Sequence, residues 1–146
     1  MKYEIERKWL VKTIPFSLGQ YRHEKFIQAY IIGDDNSSLR IRKCKTSHYE
    51  KYFLTVKVGQ GLKRSEVEFE IKEEDFNQLF ELDKRTLTKS RYYINSYHLD
   101  YFTDRDLIMV EVEFKDEIAA NAFEPPEWFG IEVTGDVNYL NQNLAK

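Results

Sequence analysis

Most of this chain alternates apolar and polar residues with a period of two, and its charges fall on one side of that alternation. Glu4, Glu6 and Lys8 interleave with Tyr3, Ile5 and Trp9, and Arg40 and Arg42 with Leu39 and Ile41. Thr55 and Lys57 lie opposite Leu54, Val56 and Val58, and Glu66, Glu68 and Glu70 opposite Val67, Phe69 and Ile71. Lys89 and Arg91 lie opposite Tyr92 and Ile94, and Glu111 and Glu113 opposite Val110, Val112 and Phe114. Side chains two apart on a strand share a face, so each segment reads as a strand with one charged face and one apolar face.

The pattern predicts strands at 2–11, 24–32, 38–45, 50–58, 64–71, 88–94, 97–103 and 107–114. Gly33-Asp34-Asp35-Asn36, Gly59-Gln60-Gly61, Asn95-Ser96 and Asp104-Arg105-Asp106 supply turn chemistry between them and favour antiparallel hairpins. Three stretches break the alternation. Residues 73–82 place acids in a first turn and then Phe76, Leu79 and Phe80 at helical spacing. Residues 116–123 read as a second short helix, and about 136–145 as a terminal one with Val137, Leu140 and Leu144 on one side. Pro125 and Pro126 mark a loop before it. With 146 residues and no repeat or linker, the chain reads as a single domain, 1–146. The expected class is α+β, built on a large antiparallel sheet or barrel. Closure would remove exposed edges, but the alternation permits it without deciding it.

Composition excludes several alternatives. Lys and Arg number 22 and Asp and Glu 25, a net charge of −3, so no basic excess directs the chain to nucleic acid. Apolar runs such as Leu107–Val110 are far too short for a membrane span, and the charged start, Met1 to Lys8, predicts no secretory signal. Cys44 stands alone, which rules out an intramolecular disulfide and makes a reduced, cytoplasmic setting the expectation. His23, His48 and His98 lack metal-ligand spacing and read as surface or barrel-wall residues.

Strand by strand, the charged face could be the wet side of an ordinary sheet. Taken together, the runs E-x-E, R-x-R, E-x-E-x-E, K-x-R and E-x-E repeat one sign where a merely soluble face would mix signs. Clustered carboxylates repel until a divalent ion binds, and clustered bases until an anion binds. Carboxylates without Cys or spaced His suit hard ions such as Mg²⁺ or Mn²⁺. Arg matches phosphate oxygens bidentately, and Lys serves as a point charge. A compact anion that needs several bases and still binds metal points to a polyphosphate chain. Gly59-Gln60-Gly61 matches no nucleotide-binding loop and reads as a hairpin turn. No spacing supports a Ser-His-Asp arrangement.

At this point the chain resembles the CYTH superfamily, the triphosphate tunnel metalloenzymes. Glu4-Ile5-Glu6-Arg7-Lys8 matches the E-x-E-x-K signature, and family-like pieces follow in order. These are Gln28-Ala29-Tyr30, Leu39-Arg40-Ile41-Arg42, Thr55-Val56-Lys57, Arg64-Ser65-Glu66-Val67-Glu68, Lys89-Ser90-Arg91-Tyr92, Leu99-Asp100 and Val110-Glu111-Val112-Glu113-Phe114. The tail Pro125-Pro126-Glu127-Trp128-Phe129-Gly130 is similar to that of short bacterial members. The resemblance implies an eight-stranded antiparallel closed β-barrel with flanking helices, its charged faces turned inward to line a tunnel. It also implies a Mg²⁺- or Mn²⁺-dependent enzyme acting on a small triphosphate.

By position, the resemblance implies metal ligands at Glu4, Glu6, Asp100, Glu111 and Glu113. Lys8, Arg40, Arg42, Lys57, Arg64, Lys89 and Arg91 would bind the triphosphate, and Glu66, Glu68 and Lys89 would serve catalysis. Tyr30 reads equally as a site residue or a wall aromatic, and Glu70 lies at a strand end outside the expected site. One departure stands out: where short members carry R-Y-K-N near the C-terminus, this chain has Asn138-Tyr139-Leu140-Asn141 and lacks both bases. The leading expectation is hydrolysis of inorganic tripolyphosphate. A class IV-type adenylyl cyclase, a nucleoside or thiamine triphosphatase, and a non-catalytic polyphosphate-binding module are the alternatives. The sequence leaves the oligomeric state open.

Overall fold

The computed structural model describes residues 2–146. Eight strands close into a barrel: β1 (Lys2–Leu10), β2 (His23–Gly33), β3 (Ser37–Lys45), β4 (Glu50–Val58), β5 (Lys63–Ile71), β6 (Arg85–Ile94), β7 (Tyr97–Phe102) and β8 (Ile108–Glu113). Their order around the wall is β1-β5-β4-β3-β2-β6-β7-β8, with β8 returning to β1 and every pair antiparallel. Each predicted strand is present, and so are the expected turns. Asp34 Oδ1 accepts from the backbone of Asn36 and Ser37 at 2.8 Å, and Asn95 turns the β6–β7 hairpin at φ 56°.

The closing strand is shared in two halves. Lys2–Ile5 of β1 pairs with β5, whereas Glu6–Leu10 pairs with β8. The second half of β1 would therefore present bare backbone groups on its β5 side. Residues 130–134 fill that gap: Gly130 N donates to Leu10 O (2.7 Å), Leu10 N to Ile131 O (2.9 Å) and Val133 N to Lys8 O (2.8 Å). The approach at Gly130 is so close that a Cβ there would lie 2.6 Å from the Leu10 carbonyl oxygen, so only glycine fits. Arg7, on the outer face, clamps the segment through Glu132 Oε1 and Oε2 (2.7 and 2.9 Å) and through the carbonyls of Ala120 and Phe123.

Apolar faces point outward and the charged faces inward, with the core divided into three clusters. Trp9, Val11, Val110, Val112 and Phe129 pack beneath the chain from Phe114 to Phe129, which carries α2 (Glu117–Ala122). Ala29, Ile41, Tyr52 and Phe76 form a second cluster under α1 (Glu73–Phe80). The third closes one end of the barrel, where Tyr30, Leu87, Phe102 and Met109 meet Ala145 with Leu10, Tyr139 and Leu144 around them. Tyr30 is thus an inward aromatic of the closed end.

One expectation is corrected. Residues 136–145 do not form one helix: a single 3-10 turn (Val137–Tyr139) and α3 (Asn141–Leu144) are separated by Leu140 in extended backbone (φ −66°, ψ 136°). The Leu140 carbonyl accepts from Asn143 N and Leu144 N, so the chain restarts there and enters the barrel end instead of lying across it. The apolar face of β5 also lacks a cover, leaving Val67 53% and Phe69 52% exposed. After a one-residue link, α1 turns back over β3 and β4, where Phe76 stacks near Tyr52, and leaves β5 bare. Among the described residues no helix is long and apolar enough to cross a membrane.

Candidate active site

The barrel register converts like signs along each strand into opposite signs between strands. Inward side chains are matched as Glu4↔Arg64, Lys8↔Glu111, Lys57↔Glu66 and Arg91↔Asp100. Ion pairs follow: Lys57–Glu4 at 2.9 Å, Arg64–Glu4 at 3.0 Å, Arg91–Asp100 at 2.7 Å and Arg91–Glu111 at 3.2 Å. Charges of this density are tolerated in an interior only when paired.

The residues expected from the sequence converge. Glu4, Glu6, Arg40, Arg42, Lys57, Glu66, Glu68, Arg91, Glu111 and Glu113 all line one cavity of about 170 Å³. It opens at the end of the barrel opposite the third apolar cluster. Lys8 and Arg64 lie behind this lining, where they border a smaller cavity with Glu6 and Leu140. Lys89 and Asp100 are deeper still, 1% and 0% exposed, and neither lines the main cavity. Lys89 Nζ donates to Asp100 Oδ2 (2.7 Å) and Asn141 Oδ1 (3.2 Å), and Arg91 donates to both Asp100 oxygens. Both oxygens of Asp100 are therefore held by bases in this arrangement.

The cavity has two poles. At one, Glu6 opposes Glu113 directly across β1 and β8, an acid–acid pair among otherwise complementary inward charges. Burial, followed by Glu111 and Glu4, pushes the Glu6 carboxyl up to about 7. Burial and then Glu4 and Glu66 also raise Glu113. Glu4 is different: burial opposes its charge, but Lys57 and Arg64 outweigh that and hold it at about 2. Glu111 is likewise held well below the ordinary carboxyl range, where Lys8 and Arg91 overcome burial. Among the described residues no three Asp, Glu, His or Cys side chains are gathered into a ready-made metal site, because most of these acids turn toward bases. The donors fit a hard divalent ion nonetheless: they are all carboxylate oxygens, and without a cation Glu6 is disfavoured by Glu111 and Glu4, and Glu113 by Glu4 and Glu66.

At the other pole the bases are only partly met by carboxylates. Arg42 is held by Gln28 Oε1 (2.9 Å) and by the face of Phe26 (4.2 Å), with no ion pair among the described residues. Burial and then Arg40 and Arg91 depress its guanidinium to about 10. Arg40 donates one nitrogen to Thr55 Oγ1 (3.0 Å) and Glu68 Oε2 (3.3 Å), while its Nε is buried with no partner. An unmet buried donor costs roughly 1–3 kcal/mol, which an anion would recover. Phe26 also underlies Arg91 at 5.2 Å. Phe26 was not singled out from the sequence, and Gln28 was named only within the piece Gln28-Ala29-Tyr30, with no role. Both are inward-facing members of the alternating run around Tyr30, but nothing in that run marks which members support a base. His98 and Asn141 also line the cavity. The first shares a face with Asp100, two residues away, and was read as a surface or barrel-wall histidine. The second arrives with the broken terminal segment, which the alternation does not describe.

Comparison with known proteins follows the same direction. No family model matches the chain. It is 40% identical over 151 residues to an inorganic triphosphatase of Nitrosomonas europaea, covering 97% of this chain and 96% of that protein. It is 34% identical to an inorganic triphosphatase of Acetivibrio thermocellus, covering 100% and 95%. The crystal structure of the inorganic triphosphatase NE1496 superposes with a TM-score of 0.66 at 38% identity, covering 99% of this chain and 95% of that one. The PH1819 protein of Pyrococcus horikoshii OT3 shares the fold, with a TM-score of 0.57 at 24% identity over 81% of this chain and 83% of that one. At this identity and nearly full coverage, with the charged barrel interior in place, the chain belongs to the inorganic triphosphatase family.

Proposed function

We propose that this protein is a triphosphate tunnel enzyme of the CYTH type that hydrolyses inorganic tripolyphosphate with Mg²⁺ or Mn²⁺. The observation that carries this reading is the two-pole cavity. The opposed acids Glu6 and Glu113 line the same cavity as Arg42 and Arg40, whose buried Nε has no partner among the described residues. A ligand that satisfies both poles must carry several anionic oxygens and bind a cation at the same time.

Arg40, Arg42, Lys57 and Arg91 would hold the phosphate oxygens, with Arg forks fixing orientation. Lys8, Arg64 and Lys89 add positive potential from behind them. Glu4, Glu6, Glu111 and Glu113 would hold the metal, and Asp100 would join them only by releasing Arg91 or Lys89. Bound there, the ion supplies neutralisation of the phosphate oxygens and polarisation of the terminal phosphorus. Glu66 and Glu68 would orient a water for in-line attack and take up its proton, breaking the terminal P–O–P link and leaving pyrophosphate. Lys89 acts in this scheme by fixing Asp100 and Asn141 rather than by touching the substrate. Most of the acceleration would come from positioning and fixed charge.

The test is a product screen. With tripolyphosphate and either metal, orthophosphate and pyrophosphate should accumulate in equal amounts, and a chelator should stop the reaction. Cyclic AMP and pyrophosphate from ATP, or no phosphate release from tripolyphosphate, nucleotides or thiamine triphosphate, would overturn the proposal.

A further inference from the structure

Among the described residues, two positions in the barrel register set like charges directly opposite each other. One is Glu6↔Glu113 inside the cavity; the other is Lys25↔Lys45, on the outer face of β2 and β3. Opposed like charges on a sheet destabilise it, so each pair is a local strain that a counter-ion would relieve. Lys45 has a loose partner in Glu50 at 3.6 Å, but that carboxylate is shared with Lys43 (3.7 Å) and bonded by Tyr52 Oη (2.9 Å). Lys25 has no ion pair among the described residues.

The lysine pair stands between two outer concavities. The larger, of about 480 Å³, is walled by Arg22, His23, Lys25, Lys45 and His48, with the β3–β4 turn Thr46, Ser47 and Tyr49 completing it. Each of its lining side chains is basic, imidazole or hydroxyl-bearing, and no carboxylate faces it. The second, of about 420 Å³, shares Lys25 and Lys45 and adds Lys43, Thr88, Ser90 and Thr103, with Phe26, Ile27 and Lys89 also in its wall. In a chain with a net charge of −3, this gathering runs against the average. Much of its wall is ring and aliphatic stem, and the basic and hydroxyl tips around it are the groups that would meet a multiply charged anion. Lysines offer point charges, hydroxyls offer donors, and no acid repels the ligand.

We propose that this outer face is a second anion site, separate from the barrel cavity, which takes a small inorganic phosphoanion across the Lys25–Lys45 pair. Both concavities are open to solvent, so a short phosphate species would be held by charge and hydroxyl donors rather than by enclosure. The site lies at the open end of the barrel. Tyr49 lines it, and the Tyr49 hydroxyl donates to Glu24 Oε1 (2.9 Å), an inward carboxylate buried in the same wall. A phosphoanion held here would sit just outside the wall that carries Arg42 and Phe26 on its inner side.

The three histidines report the two sites separately, since His23 and His48 line the outer site and His98 the barrel cavity. The experiment titrates orthophosphate, pyrophosphate and tripolyphosphate in turn into the metal-free protein and follows the imidazole Cε1–H resonances by NMR. Saturable shifts of His23 and His48 are expected. They should weaken at least tenfold in K25E/K45E and several-fold in the neutral K25Q/K45Q, with the His98 response and metal-dependent hydrolysis unchanged. The anion with the tightest outer response identifies whether substrate-like or product-like species is held. Unmoved His23 and His48 signals, or shifts equal in wild type and both variants, would overturn the inference. That result is distinct from failure of the proposed hydrolysis, which phosphate release measures.

Discussion

At the residue scale, individual partners explain why these charges are not interchangeable. Glu113 opposes Glu6 with no base bonded to it, so its charge is a cost in the metal-free barrel. Glu113→Gln should relieve roughly 0.2–1 kcal/mol of repulsion. At about 2–4 °C per kcal/mol for a chain near this size, the metal-free melting temperature should rise by about 1–3 °C. The same variant should lose metal-dependent phosphate release by about a hundredfold or more, so stability and activity move in opposite directions. Unchanged activity would remove Glu113 from the metal pole. Phe26 gives a second residue-scale prediction. Its ring carries Arg42 at 4.2 Å and Arg91 at 5.2 Å, and such contacts are worth about 0.5–2 kcal/mol when desolvated. Phe26→Leu keeps most of the apolar volume and removes the π face. It should lower kcat/KM by about 3- to 30-fold, mainly through KM, whereas Phe26→Tyr should retain most of it. Steady-state kinetics on tripolyphosphate separates the two parameters.

At the element scale, the seam of the barrel depends on a segment with no regular structure of its own. Residues 130–134 complete the exposed half of β1, and Arg7 fastens them through Glu132 and two carbonyls. Arg7→Ala strips four hydrogen bonds and should destabilise by about 2 kcal/mol. Glu132→Gln should cost less, about 0.5–1 kcal/mol, because this pair is partly solvated. The hydrogen bond from Arg7, then that from Thr134, holds the Glu132 carboxyl below its ordinary value of 4.5. A depressed carboxyl stabilises the fold above its unfolded value, and the contribution fades as pH falls through the folded one. Melts of wild type and Glu132→Gln should therefore differ at neutral pH and converge in acid below about 4.5. This seam was not legible in the sequence, because Gly130-Ile131-Glu132-Val133 has no partner strand that alternation could identify. The eight strands were legible because most carry charged or polar side chains on the inward face and apolar ones on the outward face, which fixes a period of two. The terminal helix was misread for a related reason. Val137, Leu140 and Leu144 have helical spacing, but Tyr139, Leu144 and Ala145 are drawn into the barrel end, and Leu140 breaks the helix to let them in. Site acids and bases on strands were readable by face. Whether they touch the cavity or stand behind it, as Lys89 and Asp100 do, depends on depth along the barrel, which periodicity does not contain.

At the scale of the whole molecule, stability and function are divided between the two faces of one wall. Three apolar clusters outside and at the closed end supply burial, while the interior holds charges whose desolvation their pairing only partly offsets. Such a barrel is stabilised by whatever completes its interior. A cation alone relieves Glu6 and Glu113 but leaves the Arg40 Nε unmet. A triphosphate alone answers Arg40 and Arg42 but meets the carboxylates of the opposite pole at close range. Only the two together satisfy both. Binding at a hundredfold excess over Kd is worth about 2.7 kcal/mol, or about 5–10 °C in melting temperature for a chain near this size. Thermal melts with Mg²⁺, with a non-hydrolysable imido analogue of tripolyphosphate, and with both should therefore show a joint shift larger than the sum of the separate ones. The excess should disappear in Arg42→Gln and in Glu113→Gln, each of which removes one pole. Strictly additive shifts would mean that the acids and the bases do not share a ligand, and the two-pole account of the cavity would fail with them.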